Sequence, residues 1–347
     1  MVVTEILNLS GERNLIVEIF EWINSYLQPE LCTSDKFIYD DMESQSGRSL
    51  PVIYQPFDGS QRGHWRDRGS LFDFLYAVQG EGKKLLDFGP GDGWPSLILA
   101  PYAAEVVGVD GSFRRVAVCT ANAARLGLAN TYFIHVPAGS PLPFADNSFD
   151  GVMAASSVEQ SPQPWRTLEE LFRVLKPGGR LRIAYEALNR YREGKEQEVW
   201  FGSINDRQCW LILYDRDIAG EQVVQYRLTL DMPAKELEKI AAGPLTFDRA
   251  TVPLLEQVRP AIIDARVCTT QHPSGKTLAT WLAEIGFHEV TPSHAGNVFA
   301  GRLFDVLAEE SRPHTLEGVD ALLRPLVKVV VTMRAPLELD PPITAVK

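Results

Sequence analysis

The run Leu85-Leu-Asp-Phe-Gly-Pro-Gly-Asp-Gly-Trp-Pro-Ser96 constrains the fold of this chain more than any other segment. A short apolar strand stops at three glycines spaced by one residue, Gly89, Gly91 and Gly93, with Pro90 between the first two, and a helical pattern follows. Such a turn needs residues that tolerate unusual dihedrals, and a ligand reaches backbone only where no Cβ intervenes. The next helix directs its first, unpaired N–H groups at the same place. Taken alone, the spacing also suits a plain strand-to-helix turn.

The surroundings of this run are an alternation of strand and helix. After Leu85–Phe88 come a helix over 95–102, a strand over 105–110, a helix over 113–128, and strands over 132–136 and 149–155. An amphipathic helix over 165–175 keeps Leu168, Leu171, Phe172 and Leu175 on one stripe; Pro177-Gly178-Gly179 ends it before a strand over 180–186. Repeated strand–helix units with short connections predict a parallel sheet with right-handed crossovers. The fold class expected is α/β: a Rossmann-like, mostly parallel seven-stranded sheet with helices on both faces.

Four segments are expected. Residues 1–80 read as an N-terminal helical lid, with Leu15, Ile16, Ile19, Phe20 and Ile23 at helical spacing, a Gly/Ser/Pro-rich stretch over 43–69 and a short helix over 71–76. Residues 81–190 are the cofactor-binding core. Residues 191–275 break the alternation with a hairpin (210–214 and 223–230) and a helix near 234–242, read as an α+β insertion covering the substrate at the carboxyl edge of the sheet. Residues 276–347 complete the core with helices over 278–285, 297–310 and 315–331 and strands over 287–291 and 343–347.

Composition narrows the function classes. With 34 Lys+Arg against 45 Asp+Glu the formal charge is −11, which weighs against a nucleic-acid partner, since a polyanion needs a basic docking face. No stretch approaches the roughly 18 consecutive apolar residues of a membrane span, and the N-terminus lacks the basic-then-apolar pattern of a signal peptide. Cys32, Cys119, Cys209 and Cys268 form no CxxC pair, so neither a disulfide framework nor a metal site is expected. A cytoplasmic location follows as the expectation.

Two residues decide between cofactor classes. A dinucleotide fingerprint is GxGxxG, whereas this chain has Trp94 where the third glycine belongs, and Trp94-Pro95 would crowd a pyrophosphate. Asp110 lies 17 residues past Gly93 at the end of a strand. A carboxylate there accepts hydrogen bonds from ribose hydroxyls, or caps the helix that starts at Phe113. With the glycine turn upstream, the ribose reading is favoured.

The segments LLDFGPGDG (85–93), VVGVDGS (106–112), LPFADNSFDGVMAASSVEQSPQP (142–164) and LEELFRVLKPGGRLRIAYE (168–186) together resemble the class I S-adenosylmethionine-dependent methyltransferases, especially the branch of ubiquinone and menaquinone biosynthesis. The resemblance covers about a third of the chain. It implies S-adenosyl-L-methionine as cofactor, with Asp87, Gly89, Pro90, Gly91 and Gly93 along its methionine and adenosine portions and Asp110 on the ribose. By the same resemblance Gly111 and Ser112 sit beside the adenine, and Ser156 turns its backbone to the methionine part. Two positions depart from the pattern. Ala138 stands where the family commonly has an acid for the adenine amino group, leaving adenine to backbone or other side chains, and Gln160 stands where it often has a histidine.

The sulfonium already carries an activated methyl group, so the protein's tasks reduce to orientation, desolvation and, for a protonated acceptor, proton removal. Substrate candidates come from the loops at the strand ends and from the insertion: Tyr54, Trp65, Glu186, Tyr191, Trp200, His272 and His294. Each also suits a loop anchor or a hydrogen-bonded surface residue. The expected function is methyl transfer to a small-molecule acceptor at O, N, S or C, with Trp200 or a neighbouring aromatic facing the methyl group. A methyltransferase of protein or RNA, and a non-catalytic cofactor-binding protein on the same fold, are the alternatives.

Overall fold

The computed structural model describes residues 18–40, 57–185, 187–243, 246–292, 295–333 and 343–347. In chain order its strands are β1 (Glu30–Leu31), β2 (Lys84–Phe88), β3 (Glu105–Asp110), β4 (Thr131–His135), β5 (Phe149–Ala155), β6 (Leu175–Ala184), β7 (Gln197–Ser203), β8 (Cys209–Asp217), β9 (Gln222–Leu230), β10 (Ile262–Gln271), β11 (His288–Pro292) and β12 (Ile343–Val346). The helices are α1 (residues 18–26), α2 (Arg62–Ala77), α3 (Ser96–Leu99), α4 (Phe113–Arg125), α5 (Pro164–Val174), α6 (Ala234–Ile240), α7 (Val252–Val258), α8 (Gly275–Ile285), α9 (Gly296–Val306) and α10 (Leu316–Thr332). They divide into two compact units, one formed by the described residues up to Phe37 with Leu188–Thr270, the other by Ile38–Ala187 with Gln271–Lys347.

The larger unit is built on a seven-stranded sheet of order β11-β12-β6-β5-β2-β3-β4. Strands β4, β3, β2, β5 and β6 run parallel, and β12 is antiparallel to both β6 and β11. This is the mostly parallel Rossmann-like sheet expected. Its central strand shows why consecutive apolar residues were needed. Leu85 enters the cluster packed by Phe72 and Leu75 of α2 and Leu323 and Val327 of α10, whereas Leu86 enters the one packed by Leu168 and Leu171 of α5 and Leu278 and Leu282 of α8. Helices therefore cover both faces, and a strand buried on both sides loses the polar alternation of an exposed one.

Helix α2 corrects the expectation of a loop running to residue 69. It begins at Arg62, and Gly69 lies inside it because a Cβ there would come within 2.4 Å of the Gly296 carbonyl oxygen. Close packing of α2 on α9 outweighs the roughly 1 kcal/mol helix penalty of glycine. Arg68 pairs with Asp320 of α10 through two guanidinium nitrogens, and Arg182 of β6 does the same with Asp73, donating at 2.7 Å to each carboxylate oxygen.

The smaller unit holds a five-stranded sheet of order β1-β10-β9-β8-β7. The expected hairpin is present as β8 and β9, antiparallel from Cys209↔Leu230 to Asp217↔Gln222. Strands β7, β10 and β1 extend it, with β1 parallel to β10; none of these was legible beforehand. Cys209, Leu211 and Leu213 of β8 and Tyr226, Leu228 and Leu230 of β9 pack with Ile19, Trp22 and Ile23 of α1 and Leu254, Leu255 and Val258 of α7. Among the described residues no helix is long and apolar enough to cross a membrane.

Candidate functional site

The glycine turn lies at the carboxyl end of β2, beside the end of β3. All three glycines have positive φ, +73° at Gly89, +61° at Gly91 and +105° at Gly93. Their surroundings differ. A Cβ on Gly89 would lie 2.4 Å from Ser157 Cβ and one on Gly93 would lie 2.2 Å from Leu97 Cδ1, whereas one on Gly91 meets nothing within 4 Å. Gly89 and Gly93 thus serve the packing of the turn, and Gly91 borders open space.

Helix α4 supports this turn from behind. Cys119 donates its thiol to the Gly91 carbonyl at 3.2 Å, and Asn122 donates to the Asp92 carbonyl at 3.2 Å. Burial pushes the Cys119 thiol well above its ordinary range, so it stays protonated and able to donate. Their i,i+3 spacing puts Cys119 and Asn122 on the same face of α4, the one turned to the glycine turn. Trp94 leaves the turn sideways and makes an edge contact with Phe74 of α2, ring centroids 5.8 Å apart.

Asp110 is held by the backbone it faces. One carboxylate oxygen accepts the Gly91 N–H at 3.2 Å and the other the Ser112 N–H at 2.9 Å. The helix-cap alternative belongs to Ser112, whose buried hydroxyl accepts the Arg115 N–H at 3.1 Å at the start of α4. A carboxylate has about four acceptor positions, so one that takes backbone N–H groups is also of a kind that accepts ribose hydroxyls. Removing Asp110 deletes those bonds and frees the turn from its anchor. Asp110→Ala is expected to weaken S-adenosylhomocysteine binding by roughly 1.5–3 kcal/mol with the fold intact. Unchanged affinity by calorimetry would place the ribose elsewhere.

Asp87 is fully buried, takes the Ser96 hydroxyl on Oδ2, and its Oδ1 accepts no hydrogen bond among the described residues. Burial raises its carboxyl to about 7, with the nearby Asp110 charge adding to the shift. An orphaned acceptor beside an opening at Gly91 fits a ligand that brings its own donors, as the methionine ammonium of S-adenosylmethionine does.

Beyond β5 the chain turns at Ser156, which is exposed, has φ +51°, and donates its N–H to the Ala184 carbonyl at 2.7 Å. Ser157 next to it donates to the Phe88 carbonyl at 2.6 Å, tying this loop to the glycine turn. Glu159 is fully buried here, and desolvation raises its carboxyl to about 8. The unfolded chain releases such protons near pH 4. The folded protein therefore keeps protons the unfolded chain lacks, and the resulting stability, full below pH 4, is lost as pH rises through about 7 for Asp87 and about 8 for Glu159. The melting temperature of the ligand-free protein should fall between pH 6 and pH 9, and by less in Glu159→Gln. Equal declines in the two proteins would show that Glu159 ionises normally.

The remaining sequence candidates separate. Gly111 and Ala138 are half-buried on the loops after β3 and β4, and Pro90 is buried within the turn. His135 of β4 is exposed, and its Nε2 lies 2.9 Å from the Gly111 carbonyl oxygen. Trp65 is fully buried in the α2 cluster and donates to the Gly59 carbonyl at 2.8 Å, a packing position. His272 is buried. Tyr191 and Trp200 belong to the smaller unit, Tyr191 beneath the Arg216 guanidinium at 4.1 Å and Trp200 on β7, 46% exposed. Tyr54, Glu186 and His294 lie outside the described residues.

Residues 86–183 match the family model of a methyltransferase domain. The demethylmenaquinone methyltransferase of Clavibacter sepedonicus is 39% identical over 102 residues, covering 29% of this chain and 40% of that protein. The arsenite methyltransferase of Aquipseudomonas alcaligenes is 33% identical over 200 residues, covering 53% of this chain and 58% of that protein. The chain thus spans about half the length of these curated relatives. Among solved structures, a SAM-dependent methyltransferase from Aquifex aeolicus aligns with 37% of this chain and 72% of its own at 27% identity and a TM-score of 0.31.

Proposed function

We propose that the class I S-adenosylmethionine-dependent methyltransferase domain of this chain, with S-adenosyl-L-methionine as its cofactor, transfers methyl groups to a small-molecule acceptor at O, N, S or C by in-line displacement. The observation that carries this reading is the pairing of an open Gly91 with two carboxylates of different standing, Asp87 holding an unused buried acceptor and Asp110 clamped by two backbone N–H groups. The acidic balance of −11 supports a small acceptor over a nucleic acid. So do the relatives' names, demethylmenaquinone and arsenite being small acceptors.

When bound, the cofactor supplies a methyl group on a sulfonium whose positive charge disperses as the methyl leaves. Asp87 would hold the methionine ammonium, and Asp110 the ribose hydroxyls. The glycine turn lets backbone approach the ligand without an intervening Cβ. Ser156 and Ser157 hold the neighbouring loop against the end of β2, which keeps the site preformed and its reorganisation small. The test is calorimetry with S-adenosylhomocysteine, then transfer of label from methyl-labelled cofactor to a panel of ring alcohols, amines and thiols. One-to-one binding and labelled small products are expected; no detectable binding would remove the proposal.

A further inference from the structure

Strand β1 is short and lies at the edge of the smaller unit's sheet, parallel to β10, with Glu30 opposite Arg266 and Leu31 opposite Val267. The ladder runs one step past the strand. The Cys32 N–H donates to the Val267 carbonyl at 2.9 Å, and the Cys32 thiol donates to the same oxygen at 3.6 Å. The next residue of β10 is Cys268. Continued by that one step, the register sets Cys32 beside Cys268. Neighbouring strands lie about 4.8 Å apart and facing residues of a parallel pair turn to the same side, while disulfides bridge Cα separations of about 4.4–6.8 Å. The backbone thus places the two thiols within bridging range.

The other cysteines do not compete for this pairing. Cys209 of β8 is buried among α1 and α7, on the side of the sheet where Val267 of β10 also packs. Alternation along β10 turns Cys268 to the opposite side. Cys119 belongs to the larger unit, where its thiol holds the glycine turn. Among the described residues no three His, Cys, Asp or Glu side chains are grouped to hold a metal ion, so the chemistry of this pair is that of two thiols.

Their surroundings give the two sulfurs different parts. Cys32 is half-buried, whereas Cys268 is 1% exposed. Burial pushes the Cys268 thiol up to about 12, with the neighbouring Cys32 and the Asp35 charge adding to the shift. An oxidant arriving from solvent meets Cys32 first, and Cys268 reacts only with a sulfur already beside it. A partly exposed attacking thiol backed by a sheltered resolving thiol is the arrangement that forms and releases a disulfide reversibly.

We propose that Cys32 and Cys268 are a redox-sensitive dithiol that closes to a disulfide in the presence of a small disulfide oxidant such as oxidised glutathione, stapling β1 to β10. The Cys32 thiolate attacks one sulfur of the oxidant, whose S–S bond breaks, and one glutathione leaves as a thiolate that takes up a proton. Cys268 then gives its proton to solvent, and its sulfur attacks the Cys32 sulfur of the mixed disulfide. The second glutathione leaves in the same way. Two protein thiols are oxidised to one disulfide, and one glutathione disulfide is reduced to two thiols. The bridge closes a loop over residues 33–267, most of the chain, so it restricts the unfolded ensemble strongly. No step uses the cofactor site, and the inference stands apart from the methyltransferase reading.

The test is incubation of the full chain with oxidised glutathione, for the parent, Cys32→Ser, Cys268→Ser and Cys209→Ser, followed by thiol titration in denaturant and mass mapping of peptides. The parent should fall from its four thiols to two, with the peptides of Cys32 and Cys268 joined, and dithiothreitol should restore all four. Cys209→Ser should lose two thiols likewise. Cys32→Ser should lose none, and Cys268→Ser should stop at a glutathione adduct on Cys32. The oxidised parent should melt about 5 °C or more above the reduced one. A parent that keeps four thiols, or that carries glutathione on Cys32 without joined peptides, overturns the inference, as does a bridge to another cysteine or between two chains. The parent's peptide map alone decides the matter should a serine variant fail to fold.

Discussion

Replacing Gly91 with valine should eliminate measurable S-adenosylhomocysteine binding, a loss of at least about 100-fold, in a protein that remains folded. Two effects act together. The residue sits at φ +61°, a conformation that a β-branched side chain adopts at a strain of roughly 1–3 kcal/mol. The new side chain also projects where nothing of the protein lies within 4 Å, into the space a ligand would need to reach the turn. That same openness makes Gly91 the cleanest of the three glycines to test. A Cβ at Gly89 or Gly93 would meet Ser157 or Leu97 at 2.4 or 2.2 Å, so loss of binding there would be confounded with damage to packing. Gly91→Ala, with one carbon rather than three, should fall between parent and valine. Calorimetry reads the affinity, and the far-ultraviolet circular-dichroism spectrum checks the fold. Normal binding by Gly91→Val would reduce the turn to a structural device.

The parts of this molecule legible in its sequence are those whose causes are local. The strand β2, the glycine turn and α5 declare themselves by an apolar run, by residues that tolerate positive φ and by a 3.6-residue stripe. What stayed hidden depends on partners far along the chain. The first turns of α2 look like a loop because Gly63, Gly69 and several charged residues lower their helical preference, yet Arg68 finds its partner in Asp320, 252 positions later. Strands β7 and β10 escaped notice for another reason. β7 is an edge strand on which no residue is buried, and β10 carries Asp264, Arg266 and Thr270 among its apolar residues, so neither shows the apolar alternation by which half-buried strands are read. In the candidate site, Asp110 and the glycines were visible by spacing, whereas the support from Cys119 was not, since a thiol donating to a carbonyl looks in sequence like any core cysteine.

Asp73→Ala should destabilise the larger unit by roughly 3–5 kcal/mol, the range for stranding one member of a buried ion pair. Asp73 and Arg182 are both almost inaccessible, at 4% and 0% exposure, so the guanidinium would be left without its carboxylate in a desolvated interior. Arg182 would retain its bond to the Thr344 hydroxyl of β12 at 3.0 Å, a neutral acceptor. The carboxylate has a second duty. Helix α9 begins after Ala295, which has no side-chain oxygen to cap it, and Asp73 Oδ2 accepts the Gly296 N–H at 2.7 Å instead. A cap delivered from α2 thus satisfies a first-turn donor of α9 and sets a negative charge at its positive end. Asp73→Asn should cost less than alanine, because the amide still offers an oxygen to one of the two donors. The pair Asp73→Leu with Arg182→Met should recover much of the loss, since apolar replacement of a whole buried pair is often neutral. It would not restore the cap, so recovery should stop about 1 kcal/mol short of the parent. Urea denaturation of the four proteins measures this directly. A single Asp73→Ala change of less than about 1 kcal/mol would mean that water or a shifted partner reaches Arg182, and that the α2–α9 junction is held by glycine packing alone.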